Sequence, residues 1–220
     1  MGERPVPDDL ERGGAVLERL STFSDAVFAI AMTLLVLDIP RPPEHTTDIT
    51  QFLLQHNGKF VAYVISFWVI AMYWMGHHRL FRHLREYDLG VVLINLALLF
   101  CVAFLPYPSA ILGDHADSTG AVVFYALCIS VTGIVNAILS WYAVIYRHFT
   151  RPVPSAMAWY YVSRGLAAPA VFLLSIPVAL KHPTAATYMW GLAFVVQPIA
   201  LRIARRRSAP PAEPSGGHTR

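Results

Sequence analysis

Charge is scarce in this sequence: Asp, Glu, Lys and Arg make up 14% of 220 residues, while 55% are hydrophobic and mean hydropathy is +0.48. That excludes an ordinary water-soluble domain, in which about a quarter of the residues carry charge. Cysteine is nearly missing as well. Cys101 and Cys128 stand in different apolar blocks, where a thiol packs as a small hydrophobe. No Walker loop, Rossmann glycine fingerprint or haem motif occurs, so the common nucleotide- and cofactor-dependent chemistries have no foothold. The Thr-Val-Gly-Tyr-Gly run of carbonyl-filter potassium channels is absent too.

What the chain does hold is apolar residues in long blocks, each near the roughly 20 residues that cross about 30 Å of hydrocarbon. Six spans are predicted, near Leu20–Ile39, Phe60–His77, Leu89–Pro106, Ala121–Tyr146, Trp159–Leu180 and Ala185–Ile203. The blocks are continuously apolar rather than alternating, which fits helices and not barrel strands. The expected fold class is therefore an all-α integral membrane protein in contact with the lipid bilayer. The first block contains Asp25 and Asp38, follows a mixed-charge segment and lacks a small-residue cleavage pattern. It is expected to stay as a helix and not to be removed as a signal peptide. Tryptophans such as Trp68, Trp141 and Trp159 fall largely near span ends, as interfacial anchors do.

Counting Arg and Lys on alternate sides of six spans puts fourteen on one side and three, Arg41, Lys59 and Lys181, on the other. Basic loops stay in the cytoplasm, so both termini are expected there, in a multi-pass protein of the cell membrane. The asymmetry accounts for the net charge of +3 without a nucleic-acid partner. The chain divides into a cytoplasmic segment 1–18, a transmembrane domain 19–204 and a tail 205–220, whose Arg, Pro, Ser and Gly content predicts disorder.

The first helix is the most informative. Ser24 and Asp25 lie at or just inside the hydrocarbon boundary, where polar groups are costly and need partners. At about 100° per residue, Ile30, Leu34 and Leu37 fall within about 60° of one another, Thr33 borders them, and Asp25 points roughly the opposite way. Spacing alone leaves this stripe open to packing, lipid contact or a pore role. Farther along, Tyr73-Trp-Met-Gly-His-His-Arg-Leu-Phe-Arg-His83 leaves the second span and Asn95 sits in the third. His77 and Asn95 are the natural partners for Ser24 and Asp25, and Arg19 offers an ion pair. A metal site is disfavoured, because His77 and His78 diverge by about 100° on a helix without an acid or Cys at ligand spacing. A Ser24–His77–Asp25 hydrolytic triad fails in the same way, since adjacent Ser and Asp diverge and no nucleophile elbow follows. No enzyme activity is expected.

The run Arg19-x-x-x-Phe23-Ser24-Asp25-Ala-Val-Phe-Ala-Ile-Ala-Met-Thr-Leu-Leu-Val-Leu-Asp-Ile closely resembles the first-helix signature of the endosomal/lysosomal potassium channel family, transmembrane protein 175, in its bacterial six-helix branch. The resemblance continues through Tyr73-Trp74, His77-His78-Arg79-Leu80-Phe81, Asn95 and Phe104-Leu105-Pro106-Tyr107. It covers roughly the first half of the chain; the second half matches only in span count and hydropathy. The resemblance implies a homotetramer whose first helices line a central pore that has no carbonyl filter. Ile30, Leu34 and Leu37 then match the family's hydrophobic constriction, and Thr33 matches a pore-facing threonine tied to cation selectivity. Arg19, Ser24, Asp25, Trp74, His77 and Asn95 match its interhelical polar network. Ala26, where the family often has Gly, and Met32, where it commonly has Ile or Val, depart from the pattern without touching those positions. The implied activity is passive potassium transport through a hydrophobic gate, with potassium ions as the permeant species and no cofactor. Asp38 and the acidic loop around Asp114 and Asp117 offer a means of concentrating cations. A secondary or proton-coupled transporter using intramembrane Asp25 and His77 is the alternative.

Overall fold

The computed structural model describes residues 8–84, 88–145, 155–187 and 189–190, with side chains from residue 16 onward except at 155–164 and 167. The described residues are helical throughout, apart from short connections. Their order is α1 (Asp8–Leu34), a 3₁₀ turn (Leu35–Asp38), α2 (Ile49–Gln55), α3 (Asn57–Phe81), α4 (Leu89–Phe104), α5 (Pro106–Asp114), α6 (Thr119–Ile145) and α7 (Ser155–Ala179). A last helical stretch begins at residue 183. Most of the predicted sixth span, the first residues of the N-terminal segment and the whole tail lie outside the described residues.

Among the described residues, four helical segments are long and apolar enough to cross a bilayer: Val16–Asp38, Asn57–Phe81, Leu89–Asp114 and Thr119–Ile145. α7 carries a shorter apolar stretch, Ala168–Ala179, around Pro169 and Pro177. The third span runs beyond Pro106, the end expected for it. Proline lacks an N–H and has its φ preset for the first helical turn, so it starts a helix as readily as it stops one. Here α4 closes with Leu105 N–H bonding to Val102 O at 3.1 Å, and α5 resumes at Pro106 and reaches Asp114. α1 likewise starts before its apolar stretch, at Asp8.

Local chemistry sets the other boundaries. Asp88 caps α4 by accepting from the Val91 N–H at 2.8 Å, and Asp48 caps the short α2 by accepting from the Gln51 N–H, also at 2.8 Å. Such caps satisfy N–H groups that no preceding turn can reach. α6 packs along α7, α3 along α5, and α1 against α3 and α4. The α6–α7 contact depends on missing side chains: a Cβ at Gly133 would collide with the Pro169 ring and the Tyr73 hydroxyl, and one at Gly165 would lie 3.2 Å from Ala137 Cα. Phe28, Ile70, Leu98, Tyr125 and Leu139 are buried at the centre of the bundle. Hydroxyls cross-link it in the manner of membrane helices, whose packing has no water to exclude. Ser66 Oγ lies 2.7 Å from Ser109 Oγ and 3.0 Å from the Tyr125 hydroxyl, and Tyr73 donates to Ile129 O at 2.8 Å.

Candidate functional site

Two faces of α1 carry the site. On the inward face Ser24, Phe28, Ala31 and Leu35 follow one another at three- and four-residue spacing, all buried. There the structure brings together three of the predicted network residues. His77 Nε2 lies 2.8 Å from Asn95 Oδ1, Asn95 Nδ2 donates to Ser24 Oγ at 3.0 Å, and Ser24 donates to Leu20 O at 2.8 Å. An amide oxygen only accepts, so His77 Nε2 must carry the proton and the chain runs one way, from α3 through α4 to α1. Among the described residues His77 Nδ1 has no hydrogen-bond partner; its ring is enclosed by Phe81, stacked at 4.2 Å, and Phe28, tilted at 5.4 Å.

Asp25 stands beside this chain and takes different partners. Trp74 Nε1 donates to Asp25 Oδ1 at 2.7 Å, and His78 Nδ1 lies 3.6 Å from Asp25 Oδ2. Asp25 and His77, the pair a proton relay would use, share no hydrogen bond. Arg19 is exposed and meets no carboxylate at ion-pair distance among the described residues. Sequence reasoning does not place His78, Phe28 or Phe81 in the network. A signal for His78 was present: it follows Trp74 by four residues, so the two share a helix face, and their rings lie 5.4 Å apart.

The outward face of α1 is bare. Ile30 is 57% exposed, Leu34 43% and Leu37 72%, and Thr33 is exposed beside them. Thr33 donates its hydroxyl hydrogen to Ile30 O at 2.9 Å, which leaves the oxygen's acceptor capacity on that open side. Past Leu34 the helix tightens into the 3₁₀ turn, where Leu35 is buried and Val36 and Leu37 remain exposed. At the end of this turn, Asp38 is held by Lys59 at 3.2 Å, and Lys59 also pairs with Asp114 at 2.7 Å. Two of the acids expected to concentrate cations thus share a counter-charge from the same chain. Among the described residues no group of His, Cys, Asp and Glu suits a metal ion.

A polar seam that ties one spanning helix inward, while the same helix leaves its aliphatic stripe uncovered, is the arrangement of a helical membrane protein whose first span meets lipid or another copy. Comparison with known proteins gives the particular family. Residues 19–106 match the family described as endosomal/lysosomal potassium channel TMEM175. A potassium channel of Streptomyces collinus is 34% identical over 146 residues, which are 64% of this chain and 70% of the relative. The crystal structure of a lysosomal potassium-selective channel TMEM175 homolog from Chamaesiphon minutus superposes with a TM-score of 0.70 at 28% identity, covering 89% of this chain and all of that one (100%). The human endosomal/lysosomal proton channel TMEM175 is 28% identical over 149 residues, and the match spans only 29% of its length. The chain belongs to the TMEM175 family of ion channels, which is not a class of enzymes.

Proposed function

We propose that the chain is a subunit of a potassium-permeable cation channel, in which six-helix subunits form a homotetramer with the first helices around a central pore. Ile30, Leu34 and Leu37 from the four copies make a narrow apolar neck in place of a carbonyl filter. Such a neck excludes water and ions when closed and conducts when the helices splay enough to wet it. Thr33 supplies a hydroxyl oxygen beside the neck and weighs on which cation passes. Ser24, Asp25, Trp74, His77 and Asn95 hold the back of the helix to α3 and α4. Permeation is passive, down the electrochemical gradient, in a cell membrane with both termini on the cytoplasmic side.

The observation that carries this reading is the exposed aliphatic stripe on a helix whose opposite face is sealed, in a chain related to proteins named potassium channels. That the relatives are named as channels supports a channel over a proton-coupled carrier. The test is potassium flux through purified protein in liposomes. Wild-type protein is expected to dissipate a potassium gradient, and Ile30→Asn and Leu34→Asn are expected to raise the leak. Unchanged flux in both variants would take these side chains out of the neck.

A further inference from the structure

The ends of three spans meet at one cation. Lys59, near the start of α3, contacts Asp38 Oδ2 at 3.2 Å, at the end of the first span, and Asp114 Oδ1 at 2.7 Å, at the end of the third. Its side chain is only 15% exposed, against 36% and 46% for the two acids. Backbone contact mounts it there. A Cβ at Gly58 would lie 3.0 Å from Gly113 O, and one at Gly113 would lie 3.1 Å from Lys59 Cα, so a side chain at either position would push α5 off α3. The ammonium is thereby fixed to the α3–α5 pair. Asp38, by contrast, belongs to a single 3₁₀ turn that extends α1 beyond Leu34 and includes Leu37, and of its residues only Leu35 is buried.

From this geometry, and resting on the reading that α1 lines the pore, we infer that Lys59 is a positioning residue for conduction: a latch that ties the outer end of the pore helix to the α3–α5 pair and holds the neck at Leu34 and Leu37 narrow. Its two acceptors have different jobs. Asp114 anchors the cation to the frame, and Asp38 is the moving half that releases when the helices splay. The pair Lys59–Asp38 thus opposes wetting of the neck.

Potassium flux in liposomes tests the latch, with tetramer yield measured alongside. Lys59→Met is expected to raise flux about two- to fivefold, the scale on which one partly exposed ion pair biases a two-state equilibrium. Removing a positive charge near the mouth would also draw in cations, so the deciding variant is Lys59→Met combined with Asp38→Asn. It leaves Asp114 alone and keeps the cluster's net charge of −1, yet abolishes the tie. A rise equal to that of Lys59→Met, largely reversed in Lys59→Arg, supports the latch. Should Lys59→Met fail to assemble, Asp38→Asn decides, because Lys59 keeps Asp114 and the same rise is expected. Wild-type flux in the double variant and in Asp38→Asn, while Ile30→Asn leaks, would overturn the latch and leave the pore reading standing. No leak from Ile30→Asn would overturn the pore reading itself, and the latch with it.

Discussion

The first span and α6 are almost equally apolar, yet 56% of the most apolar stretch of α6 is buried inside the chain, against 22% of the corresponding stretch of the first span. Oiliness alone therefore does not decide which helix becomes the core. α6 is built for enclosure. Ser130, Thr132 and Ser140 turn their hydroxyls back onto Ala126 O, Cys128 O and Asn136 O, within one turn of their own helix, and Gly133 and Gly165 let α6 and α7 approach closely. α1 also turns the Thr22, Ser24 and Thr33 hydroxyls onto its own carbonyls, but it accepts from neighbouring helices at Ser24 and Asp25. The other side keeps Ile30, Leu34 and Leu37 uncovered. α6 also bares a stripe, at Val131, Ile138 and Trp141, but buries more of its length than α1; under the proposed pore, α1 is therefore the helix that tilts with the least repacking of the subunit.

Substitutions can break or sharpen that contrast, and the largest effect is expected in α6. Gly133→Ala drives a methyl into the Pro169 ring and the Tyr73 hydroxyl, neither of which can yield cheaply. It should cost about 3 kcal/mol, seen as lost tetramer yield or a lowered thermal midpoint in detergent. Unaltered stability would mean that the α6–α7 contact is looser than described. In α1, Ile30→Asn should leave the thermal midpoint in place and raise potassium leak about tenfold, equivalent to about 1.4 kcal/mol of barrier. A fall in stability instead would show that Ile30 packs against protein. Asn95→Leu cuts both bonds of the seam, to His77 and to Ser24. It should destabilise the protein by about 1–2 kcal/mol, measured by the same thermal assay. The smallest effect belongs to Tyr73→Phe, which removes one bond to Ile129 O and should cost about 0.6 kcal/mol with flux unchanged.

Much of the fold was legible because lipid leaves the chain few choices. Span-length apolar blocks must be helices, and polar groups buried among them must find each other. That is why Ser24, His77 and Asn95 group together from the sequence pattern alone. The failures have physical reasons too. Pro106 was read as the end of a span, but a proline at the first helical position continues the path, and α5 carries it to Asp114. Arg19 was expected to enter the polar network; a long basic side chain near a span end gains more by reaching toward water, and it is exposed here. Trp74 rather than Arg19 donates to Asp25. The cluster of Lys59 with Asp38 and Asp114 left no trace in local spacing, because it forms only where three helix ends converge.

The most direct test of the central claim is thiol accessibility of the α1 stripe during flux. In a background with Cys101 and Cys128 replaced by Ala, single cysteines at Ile30, Leu34 and Leu37 are treated with a membrane-impermeant thiol reagent, with Leu93 and Phe100 of α4, also exposed on the subunit, as controls. The prediction is that modification at the three stripe positions stops potassium flux and that the α4 positions are unaffected. Flux that survives treatment at all three stripe positions would contradict the account.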